Sequence, residues 1–344
     1  EQISNAEHKL YNIAEKGNET TGFKHLLSAS KEAIDIANKA YQQEGGLSGT
    51  STGLIDLDKK LGGLHPSDLL IIAGRPSMGK TSLATNMAFS IANTFENKIN
   101  EDGTKSTVSG GIVGFFSLEM SSSQLATRIL SENSKVPSDK IRRGDLSEED
   151  FRNFIESAQS LDKCPLYIDD TAALTISALA GRARRLKRMY GLDVLFVDYL
   201  QLIRPSNTRD SRVNEISEIT QGLKSIAKEL NIPVVALSQL SRQVEAREDK
   251  RPQLSDLRES GSIEQDSDVV MFIYRESYYL ERMIPIRKPE EDEIKYNERM
   301  SRWQQLNEES YNKAEIIIAK QRHGPIGTIK MHFDANFTRF SDLS

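Results

Sequence analysis

The sequence predicts an α/β fold: a mostly parallel, twisted β-sheet with helices on both faces and an antiparallel edge near the carboxyl end. From residue 54 onward, short apolar runs alternate with longer stretches of helical periodicity. The runs are apolar throughout, which is typical of strands buried on both faces of a parallel sheet. The last two runs flank Gly324-Pro325, so they are expected to form a hairpin.

Composition limits the classes of function. The chain has 344 residues, enough for a sizeable core, with 38% hydrophobic and 28% charged residues, as in soluble globular proteins. A net charge of −5 means that any nucleic-acid site must be a local basic patch. The single cysteine excludes an intramolecular disulfide and favours a reducing compartment. With no apolar run of membrane-spanning length and no signal peptide, we expect a cytoplasmic protein without a membrane partner.

The first part of the chain is predicted to be helical. Residues 1–21 match the end of one amphipathic helix and residues 23–43 match a second. Residues 45–53, rich in Gly, Ser and Thr, are predicted to be a flexible connector. A lone amphipathic helix cannot bury its apolar face alone. The residues leave open whether it folds back on its own domain or docks on a neighbouring subunit.

The remaining elements follow in order. Predicted strands occupy residues 69–73, 112–118, 166–169, 194–198, 233–237, 269–274, 314–319 and 326–333. Predicted helices occupy residues 82–93, 121–132, 147–161, 175–190 and 212–230. Two polar segments interrupt this pattern. Residues 96–110 are expected to be a solvated insertion, and residues 276–312 a charged insertion with a surface helix.

The first predicted strand leads into Gly74-Arg75-Pro76-Ser77-Met78-Gly79-Lys80-Thr81, which fits G-x-x-x-x-G-K-[ST]. A strand before and a helix after this loop give the geometry that phosphate binding needs, because backbone N–H groups and the helix N-terminus then point at the phosphates. Lys80 is placed to reach the β- and γ-phosphates, and the Thr81 hydroxyl to ligate Mg²⁺. All eight residues are therefore predicted to bind a nucleotide.

Hydrolysis needs further groups at the carboxyl ends of neighbouring strands. Asp198 ends an apolar strand and is predicted to support Mg²⁺. Glu119 follows another strand and is predicted to be the general base for water, with a helix N-terminal carboxylate as the alternative. Gln239 ends a third strand, where a γ-phosphate contact and an ordinary strand-end amide both remain open.

Basic residues later in the chain allow two interpretations each. Lys320 and Arg322 lie beside the Gly-Pro turn, where they could act as an arginine finger or form a solvated hairpin tip. Arg258 and the backbone near Gly261 could hold phosphates of a single strand or belong to a surface loop. The five histidines share no ligand spacing, so no zinc site is predicted.

Six motifs occur in one order along the chain. They are Gly74–Thr81, Ser117-Leu118-Glu119-Met120, Asp198-Tyr199-Leu200-Gln201-Leu202, Ser238-Gln239-Leu240-Ser241-Arg242, the run from Asp256 to Asp266, and Lys320-Gln321-Arg322-His323-Gly324-Pro325. Together they strongly resemble the bacterial replicative DNA helicases of the DnaB type. One motif alone indicates only a nucleotide-binding protein, but six in sequence are specific to that family.

The resemblance implies a RecA-like P-loop ATPase motor domain over residues 47–344, a linker helix and connector over 22–46, and a remnant helix of an N-terminal domain over 1–21. It implies an ATP- and Mg²⁺-dependent helicase that moves 5′-to-3′ on single-stranded DNA as a ring hexamer and unwinds duplex DNA at the replication fork in the bacterial cytosol. The expected partners are DNA, other copies of the chain, a helicase loader and primase, whose site lies largely in the missing N-terminal domain. A recombination ATPase and a nucleotide-controlled binding switch are the alternatives.

The resemblance also assigns roles by position. Lys80 would bind phosphate, Thr81 and Asp198 would serve Mg²⁺, and Glu119 would activate water. Gln239 would sense the γ-phosphate, and Arg128 would lie near the nucleotide base. Lys320 and Arg322 would act on the neighbour's nucleotide, while the DNA backbone would be followed by Arg258, Glu259 and Gly261. The linker helix is expected to dock on the adjacent motor domain.

Overall fold

The computed structural model describes residues 25–42, 47–99, 105–205, 211–257 and 261–343. Its strands are β1 (Leu69–Gly74), β2 (Glu96–Ile99), β3 (Lys105–Ser109), β4 (Val113–Ser117), β5 (Leu166–Asp169), β6 (Val194–Asp198), β7 (Val234–Gln239), β8 (Val269–Tyr274), β9 (Lys313–Gln321), β10 (Gly327–Asp334) and β11 (Arg339–Asp342). Its helices are α1 (Leu26–Gln42), α2 (Ile55–Leu61), α3 (Lys80–Asn93), α4 (Ser122–Ser134), α5 (Ser138–Arg143), α6 (Glu148–Ser160), α7 (Ile176–Tyr190), α8 (Arg212–Leu230), α9 (Gly261–Asp266), α10 (Glu276–Leu280) and α11 (Glu293–Ser310). Short 3₁₀ helices span Leu161–Lys163, Leu200–Leu202, Arg242–Ala246 and Leu254–Asp256.

Nine strands form one sheet in the order β11-β10-β9-β8-β1-β7-β6-β4-β5. The strands from β8 to β5 run parallel to one another, whereas β9, β10 and β11 pair antiparallel at the other side. This arrangement confirms the predicted α/β fold with a parallel sheet and an antiparallel carboxyl-terminal edge. All eight strands predicted from apolar runs are present, and β11 extends the predicted hairpin by one strand.

The central strand β1 explains the two-sided core. All of its residues are buried, and successive side chains point to opposite faces. Leu70 and Ile72 pack with α3 and the antiparallel strands, while Leu69 and Ile71 pack with α7 and α8. Burial on both faces is why the strand reads as a continuous apolar run.

The prediction of a flexible connector is wrong for residues 49–53. The backbone N–H of Gly49 donates to the carbonyl of Gly62, and Thr50 forms a β-bridge with Leu64. Thr52 is fully buried and donates through its N–H and its hydroxyl to the Asp58 carboxylate. A Cβ on Gly49 would lie 2.6 Å from the Leu64 carbonyl oxygen, so this glycine serves a close backbone approach.

The two polar insertions have different structures. Within 96–110, β2 and β3 pair antiparallel in a separate two-stranded sheet, which was not predicted because both strands are mostly polar. Within 276–312, α11 confirms the predicted charged surface helix. Trp303 connects α11 to α10, because its indole Nε1 donates a hydrogen bond to the carbonyl of Leu280 at 3.0 Å.

The helix predicted over residues 23–43 is present as α1, and its role as a linker stays a prediction. Those of its large apolar side chains whose exposure the structure describes are accessible in the single chain, with Leu26 79% and Tyr41 91% exposed. The helix predicted over residues 1–21 lies outside the described residues. Within the described part of the chain, none of the helices has the length and apolar character needed to cross a membrane.

Candidate active site

The phosphate loop joins β1 to α3. Ser77 and Gly79 adopt left-handed backbone angles, with φ of 66° and 100°. A Cβ on Gly79 would lie 3.0 Å from the ring of Phe340, so both the backbone angle and the space favour glycine there. Helix α3 begins at the next residue without a side-chain cap, which leaves its first N–H groups available to phosphate oxygens.

Lys80 lies partly buried at the start of α3. Its Nζ donates to the backbone carbonyl of Arg75 at 3.3 Å. Burial lowers the pKa of the Lys80 ammonium, although the charges of Asp198 and Glu119 raise it. A desolvated cation beside the N-terminus of a helix is a strong electrostatic site for phosphate.

Asp198 ends β6 and is the most unusual group in the site. The residue is 1% exposed in the folded chain, and both carboxylate oxygens are buried without a hydrogen-bond partner. Burial raises the pKa of Asp198 to about 6. The negative charge of Glu119 also raises this pKa, whereas Thr81 and the charge of Lys80 lower it. Native proteins rarely leave a buried carboxylate unpartnered, so this group fits a position beside a cation.

The donor set suits Mg²⁺ rather than a metal held wholly by protein. Among the described residues no cluster of three His, Cys, Asp or Glu side chains could bind a metal. Mg²⁺ commonly takes one or two protein oxygens and completes its shell with water and substrate phosphates. The Thr81 hydroxyl and the Asp198 carboxylate are such oxygens, and Thr81 is one of the groups that influence the pKa of Asp198.

The sheet register brings the other predicted catalytic groups to the same edge. Ser117 pairs with Asp198, and the N–H of Leu118 donates to the Asp198 carbonyl at 2.8 Å, which places the exposed Glu119 beside the carboxylate. On the other side, Gln239 ends β7 directly opposite Gly74 of the phosphate loop. Lys80, Glu119, Asp198 and Gln239 therefore all follow or end neighbouring strands at the carboxyl edge of the parallel sheet.

A neighbouring glutamine fixes the backbone at Gln239. Gln201 donates from Nε2 to the Ser238 hydroxyl at 2.9 Å and accepts from the Gln239 N–H at 3.3 Å. Gln201 belongs to a motif named in the sequence, but no role for it was predicted. Both contacts hold the strand end, and hence the Gln239 side chain, next to the phosphate loop.

Arg128 projects from α4 towards the acidic groups. Burial lowers the pKa of the Arg128 guanidinium, and the charges of Asp198 and Glu119 raise it. It therefore lies close enough to both acids for electrostatic coupling. Its predicted place near the nucleotide base stays a prediction.

Lys320 and Arg322 lie at the opposite edge of the sheet. Lys320 donates to the carbonyls of Glu264 and Ser267. Arg322 donates to the carbonyl of Gln265 at 2.9 Å. Because β9 runs antiparallel to β8, these residues lie level with the start of β8, whereas the phosphate loop lies level with its end. About five residues of strand separate the two levels, about 17 Å at roughly 3.3 Å per residue.

The predicted DNA loop is only partly described. Arg258 and Glu259 lie outside the described residues, and Gly261 is the exposed first residue of α9. A Cβ on Gly261 would meet nothing within 4 Å, so the chain itself gives no steric reason for glycine. Asp256, at the start of this loop, is buried and accepts hydrogen bonds from Arg247 and from the N–H of Gln253.

Sequence reasoning missed Arg275, which directly follows β8. Its Nη1 donates to the carbonyl of Ser77 in the phosphate loop at 3.4 Å, and its guanidinium lies 4.0 Å from the centre of the Phe333 ring. Its Nε is buried without a partner, and burial lowers the pKa of the group. The signal in the sequence that could have identified Arg275 was a cation placed directly after a fully apolar strand.

Comparison with known proteins agrees with this geometry. The family described as DnaB-like helicase C terminal domain matches residues 49–342. The replicative DNA helicase DnaB of Rickettsia bellii is 51% identical over 345 residues, covering 100% of this chain and 67% of that protein. The replicative DNA helicase DnaC of Bacillus subtilis is 39% identical, covering 99% of this chain and 66% of that protein. The chain thus spans about two thirds of such relatives.

Solved structures give the same result. One solved ATPase domain superposes with a TM-score of 0.74 at 33% identity, covering 92% of this chain and 98% of that one. A DnaB-like replicative helicase, whose structure was described together with its interactions with primase, superposes with a TM-score of 0.73 at 32% identity, covering 100% of this chain and 73% of that one. With the family match over most of its length and the phosphate loop, Asp198 and Gln239 gathered at one sheet edge, the chain belongs to the family of DnaB-like replicative DNA helicases.

Proposed function

We propose that this chain is the motor part of a replicative DNA helicase, which binds ATP with Mg²⁺ at the carboxyl edge of its sheet and uses hydrolysis to move along single-stranded DNA. The observation that supports this most directly is Asp198, a buried carboxylate close to the Lys80 ammonium and the Thr81 hydroxyl. As a family member the chain is an ATP-dependent DNA helicase. The residues that perform the chemistry, the ligands and the assembly are our proposals.

Each of these side chains has its own role at the bound nucleotide. Lys80 and the loop N–H groups bind the β- and γ-phosphates, while Thr81 and Asp198 hold the metal. Mg²⁺, when bound, neutralises charge between the two phosphates. Glu119 accepts a proton from the attacking water, since its exposed carboxylate lies at the mouth of the site. Gln239, held by its strand end, donates to the γ-phosphate.

Arg275 is an additional nucleotide contact in this proposal. A half-buried guanidinium with an unpartnered Nε, adjacent to the phosphate loop, gains most from an anionic ligand. Its packing on Phe333 fixes the plane of the guanidinium. Arg275→Ala should weaken binding of ATP and of ADP alike, measured by titration calorimetry, because the contact does not depend on the reacting γ-phosphate.

Lys320 and Arg322 act on the nucleotide of an adjacent subunit. Their place at the amino edge of the sheet leaves them far from their own phosphate loop, so a second copy must bring them to a site. The exposed apolar face of α1 supports the same assembly, since Phe151 and Ile155 on α6 are exposed apolar side chains that an adjacent linker helix could cover. We propose a ring hexamer as the assembled state.

The remaining partners and domains follow from the family. We propose that Arg258, Glu259 and Gly261 contact the DNA backbone, which gives movement without sequence preference. A loader and primase are further partners, and primase interactions are named for one similar structure. Residues 1–21 would be the remnant of an N-terminal domain, 22–46 the linker and connector, and 47–344 the motor, working in the bacterial cytosol at 5′-to-3′ polarity.

Action between subunits can be tested by complementation. Arg322→Ala should bind nucleotide normally but lose hydrolysis, and Glu119→Ala should lose hydrolysis through its own site. Mixed rings should recover part of the ATP turnover, because an Arg322→Ala subunit keeps its own Glu119 and receives Arg322 from a Glu119→Ala neighbour. Lys330→Ala, an exposed cation on β10, is the matched control and should stay active.

Two results would contradict the proposal. One is the failure of every mixing ratio to restore turnover while particle mass confirms mixed rings. The other is near-normal turnover by Lys80→Ala, which would remove the phosphate-loop assignment. Stimulation of turnover by single-stranded DNA in closed rings separates the proposed motor from a filament-forming recombination ATPase.

A further inference from the structure

Arg75 belongs to the phosphate loop, but its side chain turns away from the phosphate-binding space. Its Nε donates to Oε1 of Glu245 at 2.9 Å, and its Nη1 donates to the carbonyl of Leu240 at 3.0 Å. The Arg75 side chain is 10% exposed and the Glu245 side chain 47%. The guanidinium therefore joins the phosphate loop to the segment that leaves Gln239.

The two ends of that segment, residues 240–257, are hydrogen-bonded to each other. The N–H of Ser241 donates to the carbonyl of Asp256 at 3.1 Å. Arg247, two residues after Glu245, donates to the buried Asp256 carboxylate at 2.9 Å. Asp256 lies two residues before Arg258, where the proposed DNA loop begins. Two series of contacts thus connect Arg75 to the start of that loop. One of these two routes passes through Leu240 and the other through Glu245.

The contact of Lys80 shows how a nucleotide could act on these routes. Its Nζ donates to the backbone carbonyl of Arg75. Phosphates compete with that carbonyl for the Lys80 ammonium, because a charged oxygen is the stronger acceptor. The Arg75 carbonyl is therefore one point of the loop at which a bound nucleotide would change an existing contact.

We propose that the Arg75–Glu245 ion pair couples the phosphate loop to residues 253–257, which lead into the proposed DNA loop, with Glu245 as a positioning residue that makes this segment respond to the bound nucleotide. The planar guanidinium holds Glu245 and Leu240 in fixed directions, so a shift of the Arg75 peptide moves both. Coupling of this kind needs a continuous chain of contacts, and the two routes supply it. The inference rests on the proposed function only where it assigns DNA contact to residues 258–261.

Hydrogen exchange on the whole chain, with and without a non-hydrolysable ATP analogue, tests the coupling directly. In the unmodified chain and in the control Glu248→Ala, the analogue should change the exchange of amides within residues 253–257. Glu248 is an exposed acid of the same segment. In Glu245→Ala this change should fall by more than half, and stimulation of ATP turnover by single-stranded DNA should fall equally. ATP turnover without DNA and the melting temperature should match the unmodified chain.

The outcomes separate this inference from the proposed function. If Glu245→Ala keeps the analogue-dependent change, or if the unmodified chain shows none, the coupling is overturned. If the change is present and depends on Glu245, but DNA does not stimulate turnover, the coupling stands and the DNA role of the loop fails.

Discussion

Replacing Asp198 with asparagine should stabilise the nucleotide-free protein while removing its activity. The residue is 1% exposed without a hydrogen-bond partner for its carboxylate, and burial raises its pKa from an ordinary 3.8 to about 6. Because the folded protein binds this proton more tightly than the unfolded chain, the charged carboxylate costs nothing below about pH 4. The cost grows as pH rises through 6 and is complete above it.

The size of the effect follows from the two pKa values. A rise from 3.8 to about 6 corresponds to about 3 kcal/mol of unfolding free energy at pH 7.5. At pH 5 the folded protein is mostly protonated at this site, so roughly half of that cost, about 1.5 kcal/mol, remains. Asp198→Asn should therefore raise the unfolding free energy by up to these amounts, because the neutral amide avoids burying a charge.

Urea unfolding at pH 7.5 and pH 5, followed by circular dichroism without nucleotide or Mg²⁺, measures both values. Glu119→Gln is the matched control. It changes an exposed acid of the same site and should alter the unfolding free energy by less than about 0.5 kcal/mol. An asparagine variant no more stable than the unmodified chain at pH 7.5, or a gain of equal size at both pH values, would refute the reasoning.

Three further changes test the structure around the site. Gly79→Ala should weaken nucleotide binding in calorimetry and cost about 1–2 kcal/mol of stability, since φ is 100° and the new Cβ would lie 3.0 Å from the Phe340 ring. Lys224→Ala should destabilise the fold by about 3 kcal/mol in urea unfolding, because it removes a partner of the buried Asp268 carboxylate. Gln201→Ala should lower kcat for ATP several-fold with little change in KM, because it frees the strand end that carries Gln239, the proposed γ-phosphate contact.

Much of the fold was predictable because it depends on local signals. Strands buried on both faces read as apolar runs, and parallel pairing places their carboxyl ends at one edge. Asp198 and Gln239 could therefore be assigned to a common site before their contacts were known. The same reasoning placed Glu119 beside them, which the hydrogen bond from Leu118 to the Asp198 carbonyl explains.

The parts that were missed depend on contacts between distant segments. Arg275 meets Phe333 only because β8, β9 and β10 pair in antiparallel order. Strand β11 is polar apart from Phe340, so its sequence lacks a strand pattern. The glycines near residue 49 resemble a flexible linker in composition, and only the 2.6 Å approach to Leu64 shows their packing role.

In the proposed ring, the position of Lys320 and Arg322 would link the DNA loop with the neighbouring subunit. Both side chains donate to carbonyls at or just after the end of α9, a helix whose first residue, Gly261, is itself a proposed DNA contact. Carbonyls at a helix C-terminus lack partners within the helix, so they are natural acceptors for these cations. Under the proposed function, a displacement of the DNA loop that moved α9 would therefore move both cations, which lie about 17 Å from the level of their own phosphate loop. The same helix would then connect the DNA loop of one chain to the nucleotide of the next.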